Sequence, residues 1–470
     1  MAVRARTPLL LAALAGAVAL LLPGAVEARV LLSLDDFGAV GDGIANDTQV
    51  RTPCREPSRA APARRRSLPL TLYLFLHQAF VDAWKAACAT GGTIYLNVPA
   101  GKSYQIWPVT LAGPCRGEIK LMISGNIIAP EDPEEWSDGD QGRWLHFWGV
   151  GDLSLSGSGI VDGRGQQWWA GSCEDENCTT YRPYDVAPMA LHFEDCRDVS
   201  VKGITVQNSQ RQHLVFTRCH DVEANYLRVT SPEYSHGTVG VLVVSSTDVH
   251  IKHDLFSVGG DCVSIVGNSS DIRLRAISCG PGLGISIGGL GEKQSNHMVH
   301  KIKMDTMFIS NTKNGVSIKT YENGCGFACK VKFAHIMMRN VANPIVIDQH
   351  CYSASNSNRG TPCGTPNGSA VAVEKIKYID ITGTSATERA VTFACSNAMP
   401  CKHLYLDGVN LRTAGGGSTS AYCYQAFGKH VGDVLPESCL GKEKEDFVQL
   451  QAPTAGTRQG DTEDEEDDDW

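Results

Sequence analysis

The segment DVSVKGITV, residues Asp198–Val206, alternates apolar and polar residues and then enters a glycine-containing turn. Three later segments repeat this pattern, and the four begin 23, 27 and 23 residues apart: DVEANYLRV (Asp221–Val229), DVHIKHDLF (Asp248–Phe256) and DIRLRAISC (Asp271–Cys279). Alternation of this kind is typical of strands, and repeats of this length indicate stacked units that cannot bury an apolar face alone. A β-sandwich would require hairpin turns between paired strands, and the sequence contains few of them. We therefore predict an all-β chain folded as a parallel β-solenoid.

A short amphipathic helix is predicted near the N-terminus, because a solenoid needs a cap over its open core. Asp47 or Thr48 would be the N-cap, and Gly91-Gly92 would end the helix. Its apolar face comprises Phe80, Trp84 and Cys88.

Residues 50–78 interrupt this unit with a Pro- and Arg-rich stretch followed by an apolar one, without periodicity. Joining Gln49 to Ala79 gives a continuous amphipathic DTQAFVDAWKAAC, removes Cys54 and leaves an even number of cysteines, 16 of the 17. We interpret residues 50–78 as an atypical insert, a translated retained intron. The alternative is an exposed loop.

The N-terminus has the features of a secretory leader. Arg4 and Arg6 precede an apolar run from Leu9 to Leu22, and small residues follow at the positions expected for cleavage after Ala28. The run is shorter than the ~20 residues that span a bilayer, which argues against a membrane anchor. The prediction is a signal peptide over residues 1–28, secretion to the cell wall or apoplast, and no membrane partner.

Charge is unevenly distributed in this chain of net charge −9. The last ten residues, DTEDEEDDDW, contain eight acids, so residues 446–470 are predicted to be an acidic, disordered tail. The remaining domain, residues 29–445, is mildly acidic, and nothing in it indicates a nucleic-acid partner.

In a secreted chain, 17 cysteines indicate disulfides rather than metal ligands. Three pairs have short spacing: Cys173 and Cys178, Cys325 and Cys329, Cys395 and Cys401. No His pairs flank them at zinc-ligand spacing, so we expect no metal and no cofactor.

Several motifs, spread from Leu34 to Cys439, resemble the plant polygalacturonases: FGAVGDG, WKAAC, VDGRGQQWW, NSQRQHLVF, CGPGLGISIGGLG and NPIVIDQ. The resemblance implies a right-handed parallel β-helix and an ancestral activity, hydrolysis of the α-1,4-galacturonosyl bonds of homogalacturonan. Family members carry Asn-Thr-Asp, Asp-Asp, Gly-His-Gly and Arg-Ile-Lys. An inverting hydrolase needs one carboxylic acid to protonate the leaving oxygen and another carboxylate to activate water.

This sequence departs from the family at most of those positions. Gly237-Thr238-Val239 stands at the first motif and Gly260-Asp261 at the second. Gly282-Leu283-Gly284 and Ser317-Ile318-Lys319 stand at the third and fourth. The resemblance therefore implies a retained water-activating carboxylate at Asp261 and a retained substrate-binding cation at Lys319. It also implies that Gly260 replaces the acid, Val239 replaces the other water-activating Asp, Leu283 replaces the His, and Ser317 replaces the Arg.

Val239, Asp261 and Leu283 lie 22 residues apart in each step, so we expect them to stack in successive coils at about 4.8 Å. Alternatives remain at this point. Asp261 could cap a turn or pair with Lys319, and Glu233 or His236 could supply a substitute acid. Trp168-Trp169 could stack on sugar, although packing is the preferred interpretation.

The sequence thus predicts a polygalacturonase-family protein of pectin metabolism, expected to be a monomer, whose hydrolytic activity is lost or strongly reduced. The alternative is a non-catalytic galacturonan-binding or vestigial protein. A calcium-dependent pectate lyase would need a carboxylate cluster in the groove, and the sequence shows none.

Overall fold

A computed structural model describes residues 29–47, 79–136, 142–170, 187–292, 295–321, 324–351 and 370–442. The predicted leader, the insert 50–78 and the acidic tail lie outside these residues. Two helices are described, α1 (Ala79–Ala89) and α2 (Gln166–Ala170), together with 3-10 turns at Leu34–Phe37 and Pro133–Trp136. No helix in these ranges is long and apolar enough to cross a membrane.

Strands make up most of the described chain. They are β1 (Arg29–Ser33), β2 (Asp42–Asn46), β3 (Thr93–Val98), β4 (Ser103–Gln105), β5 (Val109–Ala112), β6 (Glu118–Ile123), β7 (Asn126–Ile128), β8 (Arg143–Trp148), β9 (Gly151–Ser156), β10 (Ile160–Asp162), β11 (Met189–Glu194), β12 (Arg197–Lys202), β13 (Thr205–Gln207), β14 (Gln212–Thr217), β15 (His220–Asn225), β16 (Arg228–Thr230), β17 (Val239–Val244), β18 (Thr247–Lys252), β19 (Leu255–Ser257), β20 (Asp261–Val266), β21 (Ser270–Cys279), β22 (Gly284–Leu290), β23 (Asn296–Ser310), β24 (Asn314–Tyr321), β25 (Cys325–Val341), β26 (Asn343–Cys351), β27 (Ala372–Ser385), β28 (Arg389–Ala394), β29 (Cys401–Asp407), β30 (Asn410–Thr413), β31 (Ser420–Tyr424) and β32 (Ala426–Val431).

All pairings between these strands are parallel, and they form two sheets. An 11-stranded sheet runs β5-β8-β11-β14-β17-β20-β22-β24-β26-β28-β31, and the other strands form a 21-stranded sheet. Each coil therefore lies on the previous one, which confirms the predicted parallel β-helix. The four repeated segments begin in β12, β15, β18 and β21, which are stacked in register.

Aspartate at the start of each repeat has a local structural cause. Asp198, Asp221, Asp248 and Asp271 all have φ between 54° and 56°, the left-handed region. Asp and Asn tolerate this conformation better than most residues other than glycine. The sequence period therefore records one bend per coil.

Identical side chains stack inside the helix. The rings of Phe147, Phe193 and Phe216 are stacked at 4.9 and 5.1 Å between centroids, and all three are fully buried. Burying such a column removes apolar surface from water at about 25 cal/mol per Å². This is how a coil that cannot fold alone gains stability from its neighbours.

Helix α1 caps the first coils as predicted. Phe80 and Trp84 are buried, and the Trp84 indole N–H donates to the Ala112 carbonyl at 3.1 Å. The Cys88–Cys115 disulfide ties the helix to the connection between β5 and β6. The prediction for Asp47 is wrong: instead of capping α1, its carboxylate accepts hydrogen bonds from the backbone N–H groups of Val40, Gly41 and Gln105. Thr48 lies outside the described residues.

Trp168 and Trp169 are packing residues, which is the interpretation preferred from the sequence. Trp168 and Trp169 are 9% and 5% exposed. Trp168 meets Trp136 edge to face at 5.7 Å, and Trp169 donates to the Ser209 carbonyl. Neither presents an open ring face for a sugar.

Disulfides join the described cysteines Cys88–Cys115, Cys262–Cys279, Cys395–Cys401 and Cys423–Cys439. The short-spaced pair Cys395–Cys401 is therefore bonded. Cys325 is disulfide-bonded while Cys329 is a free thiol, so these two do not pair with each other. Cys173 and Cys178 lie outside the described residues.

One carboxylate occupies an apolar column. The register of the strands places Ile204, Leu227, Asp254 and Ile277 at the same position of successive coils. Asp254 is 2% exposed; one carboxylate oxygen accepts from the Leu227 N–H at 2.6 Å, and the other has no partner. Burial raises the pKa of Asp254 to about 7.

Candidate functional site

Asp261 begins β20 on the 11-stranded sheet. The Ser286 hydroxyl donates to one of its carboxylate oxygens at 2.6 Å and lies 3.1 Å from the Ser264 hydroxyl. Burial raises the pKa of Asp261, although the Ser286 hydrogen bond and the Lys319 charge act in the opposite direction. Asp261 is thus a partly exposed carboxyl group that a side-chain hydrogen bond holds in place, rather than a residue that caps a turn.

Val239 begins β17, one coil before Asp261. The pairs Val241↔Val263 and Leu242↔Ser264 place Val239 and Asp261 at equivalent positions of adjacent strands, as predicted. Beneath Val239, the buried His213 ring lies 2.9 Å from the Val239 carbonyl oxygen and 2.7 Å from the Ser231 hydroxyl. Burial lowers the pKa of His213 to about 4, so the ring is neutral near pH 7.

Leu283 departs from the predicted stack by one residue. Val263 pairs with Ile285, and an unbroken register would therefore place Leu283 opposite Asp261. A register shift between Asp261 and Val263 places Gly284 opposite Asp261 instead. Leu283 is half-buried, and its N–H donates to the Gly260 carbonyl at 2.7 Å. The expected equal stacking of all three positions is therefore wrong, because a β-bulge puts an extra residue, Cys262, on β20 between Asp261 and Val263, opposite the single step from Gly284 to Ile285 on β22.

Gly260 has no room for a side chain. A Cβ added there would meet the Thr238 carbonyl oxygen well inside 3.0 Å and the Thr238 carbonyl carbon at 3.1 Å. Thr238 itself is fixed on both sides, since its hydroxyl donates to the Ser235 carbonyl at 2.8 Å and accepts from the Gly259 N–H at 3.1 Å. The loop between β16 and β17 thus fills the space beside Gly260 with backbone.

Ser317 and Lys319 lie on β24, two strands from Asp261. Ser317 is 2% exposed, and its hydroxyl donates to the Ile285 carbonyl, so it points into the sheet structure rather than to a ligand. Lys319 is half-buried and lies in register with Gly288 and Asp348. Within the described part of the chain Lys319 and Asp261 form no direct ion pair, although the lysine charge lowers the pKa of Asp261.

Glu233 and His236 lie in the loop before β17, and both side chains are exposed. The Glu233 carbonyl oxygen lies 2.9 Å from the position of a Cβ on Gly259, so the backbone of this residue borders the site. The structure therefore places the backbone of Glu233 at the edge of the site, with its side chain exposed.

The same sheet face carries other carboxylates further away. Glu194 on β11 and Asp348 on β26 are each three strands from β20, which corresponds to about 14 Å at the spacing of paired strands. An inverting pair needs a separation of about 6.5–9.5 Å. Neither group can therefore act as the partner of Asp261.

Glu194 belongs to a separate cluster. Ligand atoms of His146, His192 and Glu194 lie within 4.8 Å of one another, which is close enough for a metal ion. However, Arg218 and Arg143 contact the Glu194 carboxylate at 2.7 and 3.2 Å. Burial acts to raise the pKa of Glu194, but the two guanidinium groups outweigh it and the pKa is lowered. Two guanidinium groups beside the carboxylate oppose a cation, so the cluster is an ion-pair network.

Comparison with known proteins identifies the lineage. The family model of glycosyl hydrolases family 28 matches residues 88–431. A probable polygalacturonase of Arabidopsis thaliana is 37% identical over 414 residues, covering 88% of this chain and 85% of that protein. A polygalacturonase of Persea americana is 36% identical over 392 residues, covering 83% of this chain and 76% of that protein.

The chain belongs to glycosyl hydrolases family 28. Solved structures agree on the fold alone. An endo-xylogalacturonan hydrolase from Aspergillus tubingensis superposes with a TM-score of 0.62 at 20% identity, covering 76% of this chain and 95% of that one. Endopolygalacturonase I from Stereum purpureum, complexed with two galacturonate molecules, gives a TM-score of 0.54 at 19% identity, covering 75% and 98%.

Within this family-28 chain, the sequence interpretation overlooked the residues that hold the site in place. Ser286, Thr238 and His213 hydrogen-bond, respectively, to Asp261, to the Gly259 N–H and to the Val239 carbonyl. The strand alternation in GISIGG could have identified Ser286, since it places residues 284, 286 and 288 on one face. The roles of Thr238 and His213 depend on loop geometry, which carries no such signal.

Proposed function

We propose that this protein binds homogalacturonan on the face that carries Asp261 and Lys319, and that its hydrolysis of the polymer is lost or strongly reduced. The observation that carries the proposal is the closed space beside Gly260. A proton donor at that position would have to displace the carbonyl of Thr238, a residue whose hydroxyl is hydrogen-bonded to the Ser235 carbonyl and the Gly259 N–H.

The remaining chemistry is that of one carboxyl group. Inverting hydrolysis needs both a general acid and a general base, and each such group contributes typically 10²–10⁴-fold to the rate. Asp261 can activate water or accept a hydrogen bond from a sugar hydroxyl. It cannot act as acid and base at once on opposite faces of the sugar ring, and Val239 supplies neither function.

Binding is supported by Lys319. Its ammonium group forms no ion pair with another residue of the described ranges, and it lies in the same outward column as Gly288, whose lack of a side chain leaves room beside it. A lysine of this kind can pair with the carboxylate of a galacturonate unit as a point charge. Ser317, turned toward the Ile285 carbonyl, adds no second cation.

The domain boundaries and location belong to the same proposal. Residues 1–28 would be removed as a leader, residues 29–445 would form the secreted β-helix domain, and residues 446–470 would remain as an acidic tail. The protein would act in the plant cell wall as a monomer without a cofactor. A transcript that joins the codon of Gln49 to the codon of Ala79 would not encode residues 50–78.

Binding of oligogalacturonides by calorimetry tests the proposal. Lys319→Met should weaken binding about 10- to 100-fold, the range expected for losing a hydrogen bond to a charged group. Lys85→Met on α1, where the ammonium lies 3.9 Å from Asp82, is the matched control and should change nothing. Equal affinity in the Lys319→Met variant would remove the basis of the proposal.

Residual hydrolysis is the second candidate, favoured by the position of the Glu233 backbone beside Gly259, from which its exposed side chain extends. If Glu233 is a substitute acid, Glu233→Gln should abolish the release of reducing ends from polygalacturonate. If the protein is a binder, this variant should match the wild type in both binding and background release.

A further inference from the structure

A groove lies on the 21-stranded sheet, away from the strands that carry Asp261 and Lys319. It has a volume of about 910 Å³ and is bordered by β25, β27, β29 and β32. Six lysines line it: Lys330, Lys332, Lys375, Lys377, Lys429 and Lys442. We call it the lysine groove.

The lysines are arranged by the repeat itself. Lys303, Lys332 and Lys377 are in register on β23, β25 and β27, and Lys429 follows on β32 after Tyr405 of β29. Ammonium groups on successive coils are therefore spaced by the strand separation of about 4.8 Å, or by twice that separation. The sequence carries the signal as Lys-x-Lys in three successive coils, at residues 301–303, 330–332 and 375–377.

Carboxylates are scarce among the residues that line the groove. Asp407 is the one carboxylate among the groove-lining residues, and its oxygen accepts from the Tyr405 hydroxyl at 3.2 Å. Lys332, Lys375 and Lys442 have no carboxylate partner within the described ranges. In a chain of net charge −9, a concentration of like charges opposes folding unless an anion offsets it.

We propose that the lysine groove binds a linear polycarboxylate, an acidic polysaccharide such as a polyuronate, along the axis of the β-helix. The ligand would present carboxylates at a repeat similar to the strand spacing. Lysines bind carboxylates as point charges, and no arginine is among the groove-lining residues to add bidentate contacts. Val331 and Leu404 are only 1% exposed and belong to the core beneath the groove, so half-buried Ile379 and Tyr405 are the apolar side chains that a sugar ring can contact.

This inference goes beyond the proposed function, because the groove shares no residue with the Asp261 face. A protein with both sites could contact one polymer twice or hold two polymers together. Two linked contacts raise the overall affinity through effective concentration, without any new interaction. If one of the two sites does not bind the polymer, the other can still be tested with its own variants.

The test is binding of polygalacturonate to the full-length protein at low and moderate salt. The triple variant Lys332→Gln, Lys375→Gln, Lys442→Gln should lose at least tenfold in affinity and show a weaker salt dependence. The control triple variant, Lys85→Gln, Lys120→Gln, Lys252→Gln, makes the same charge change at lysines that lie outside the groove and near carboxylates. It should keep wild-type affinity. Fully methyl-esterified polymer, which lacks the carboxylates, should not bind the groove.

A footprint gives a second measurement. Hydrogen exchange should slow in residues 330–332 and 375–379 on adding the polymer, and it should still do so in Lys319→Met. Equal losses in the two triple variants, or equal binding of the esterified polymer, would overturn the proposal. It would also be overturned if binding occurred only after the eight acids of the last ten residues were changed to Asn and Gln, since the groove would then serve that segment.

Discussion

The closed space at Gly260 makes a quantitative prediction. Gly260 does not have the positive φ that disfavours other residues, so replacing it by alanine tests space and not backbone conformation. The added Cβ would collide with the Thr238 carbonyl, and overpacking of this kind costs about 1–3 kcal/mol. Gly151 on β9 is the matched control, because a Cβ there meets nothing within 4 Å. Gly→Ala at an open site stabilises by about 0.4–1 kcal/mol.

The assay is urea unfolding of both variants beside the wild type. Gly260→Ala should lower the free energy of unfolding and Gly151→Ala should leave it unchanged or raise it, which gives a difference of about 1.5–4 kcal/mol. The slope against urea should be the same for all three proteins. If Gly260→Ala is as stable as Gly151→Ala, the site has room for a side chain and the steric argument for lost acid catalysis is refuted.

Two buried groups should give opposite pH dependences of stability. Asp254 has a folded pKa of about 7, above its ordinary 3.8, so its contribution is full below pH 4 and is lost as pH rises to 7. Asp254→Asn should remove that loss, up to about 4 kcal/mol at 1.36 kcal/mol per pKa unit. His213 has a folded pKa of about 4, below its ordinary 6.5, so its contribution is present above pH 6.5 and is lost as pH falls to 4. His213→Gln should remove this fall in the free energy of unfolding, which amounts to up to about 3 kcal/mol. Thermal unfolding between pH 4 and 8 measures both; an unchanged profile in either variant contradicts the assignment.

Much of the fold could be predicted because the sequence repeats with the coil. Asp198, Asp221 and their equivalents mark one left-handed residue per turn, and the alternating residues after them become inward and outward faces. Helix α1 was predictable because its apolar positions recur at helical spacing. The coil repeat and helix α1 are both set by residues that lie close together in sequence, so a local pattern reveals them.

The site was predictable in position but not in geometry. The 22-residue step located Val239 and Asp261 on adjacent strands, yet the same arithmetic misplaced Leu283 by one residue, since a β-bulge does not change the sequence period. The contact between Gly260 and the Thr238 carbonyl joins two coils through a loop. No local pattern encodes such a contact.

The most direct measurement is the rate at which the purified full-length protein releases reducing ends from polygalacturonate, compared with Asp261→Asn. A sheet face with no second carboxylate within reach of Asp261 and no room for a proton donor at Gly260 predicts that both proteins stay at the level of the buffer blank. Turnover by the wild type near the ordinary enzyme range of about 10 per second, abolished in Asp261→Asn, would contradict the account.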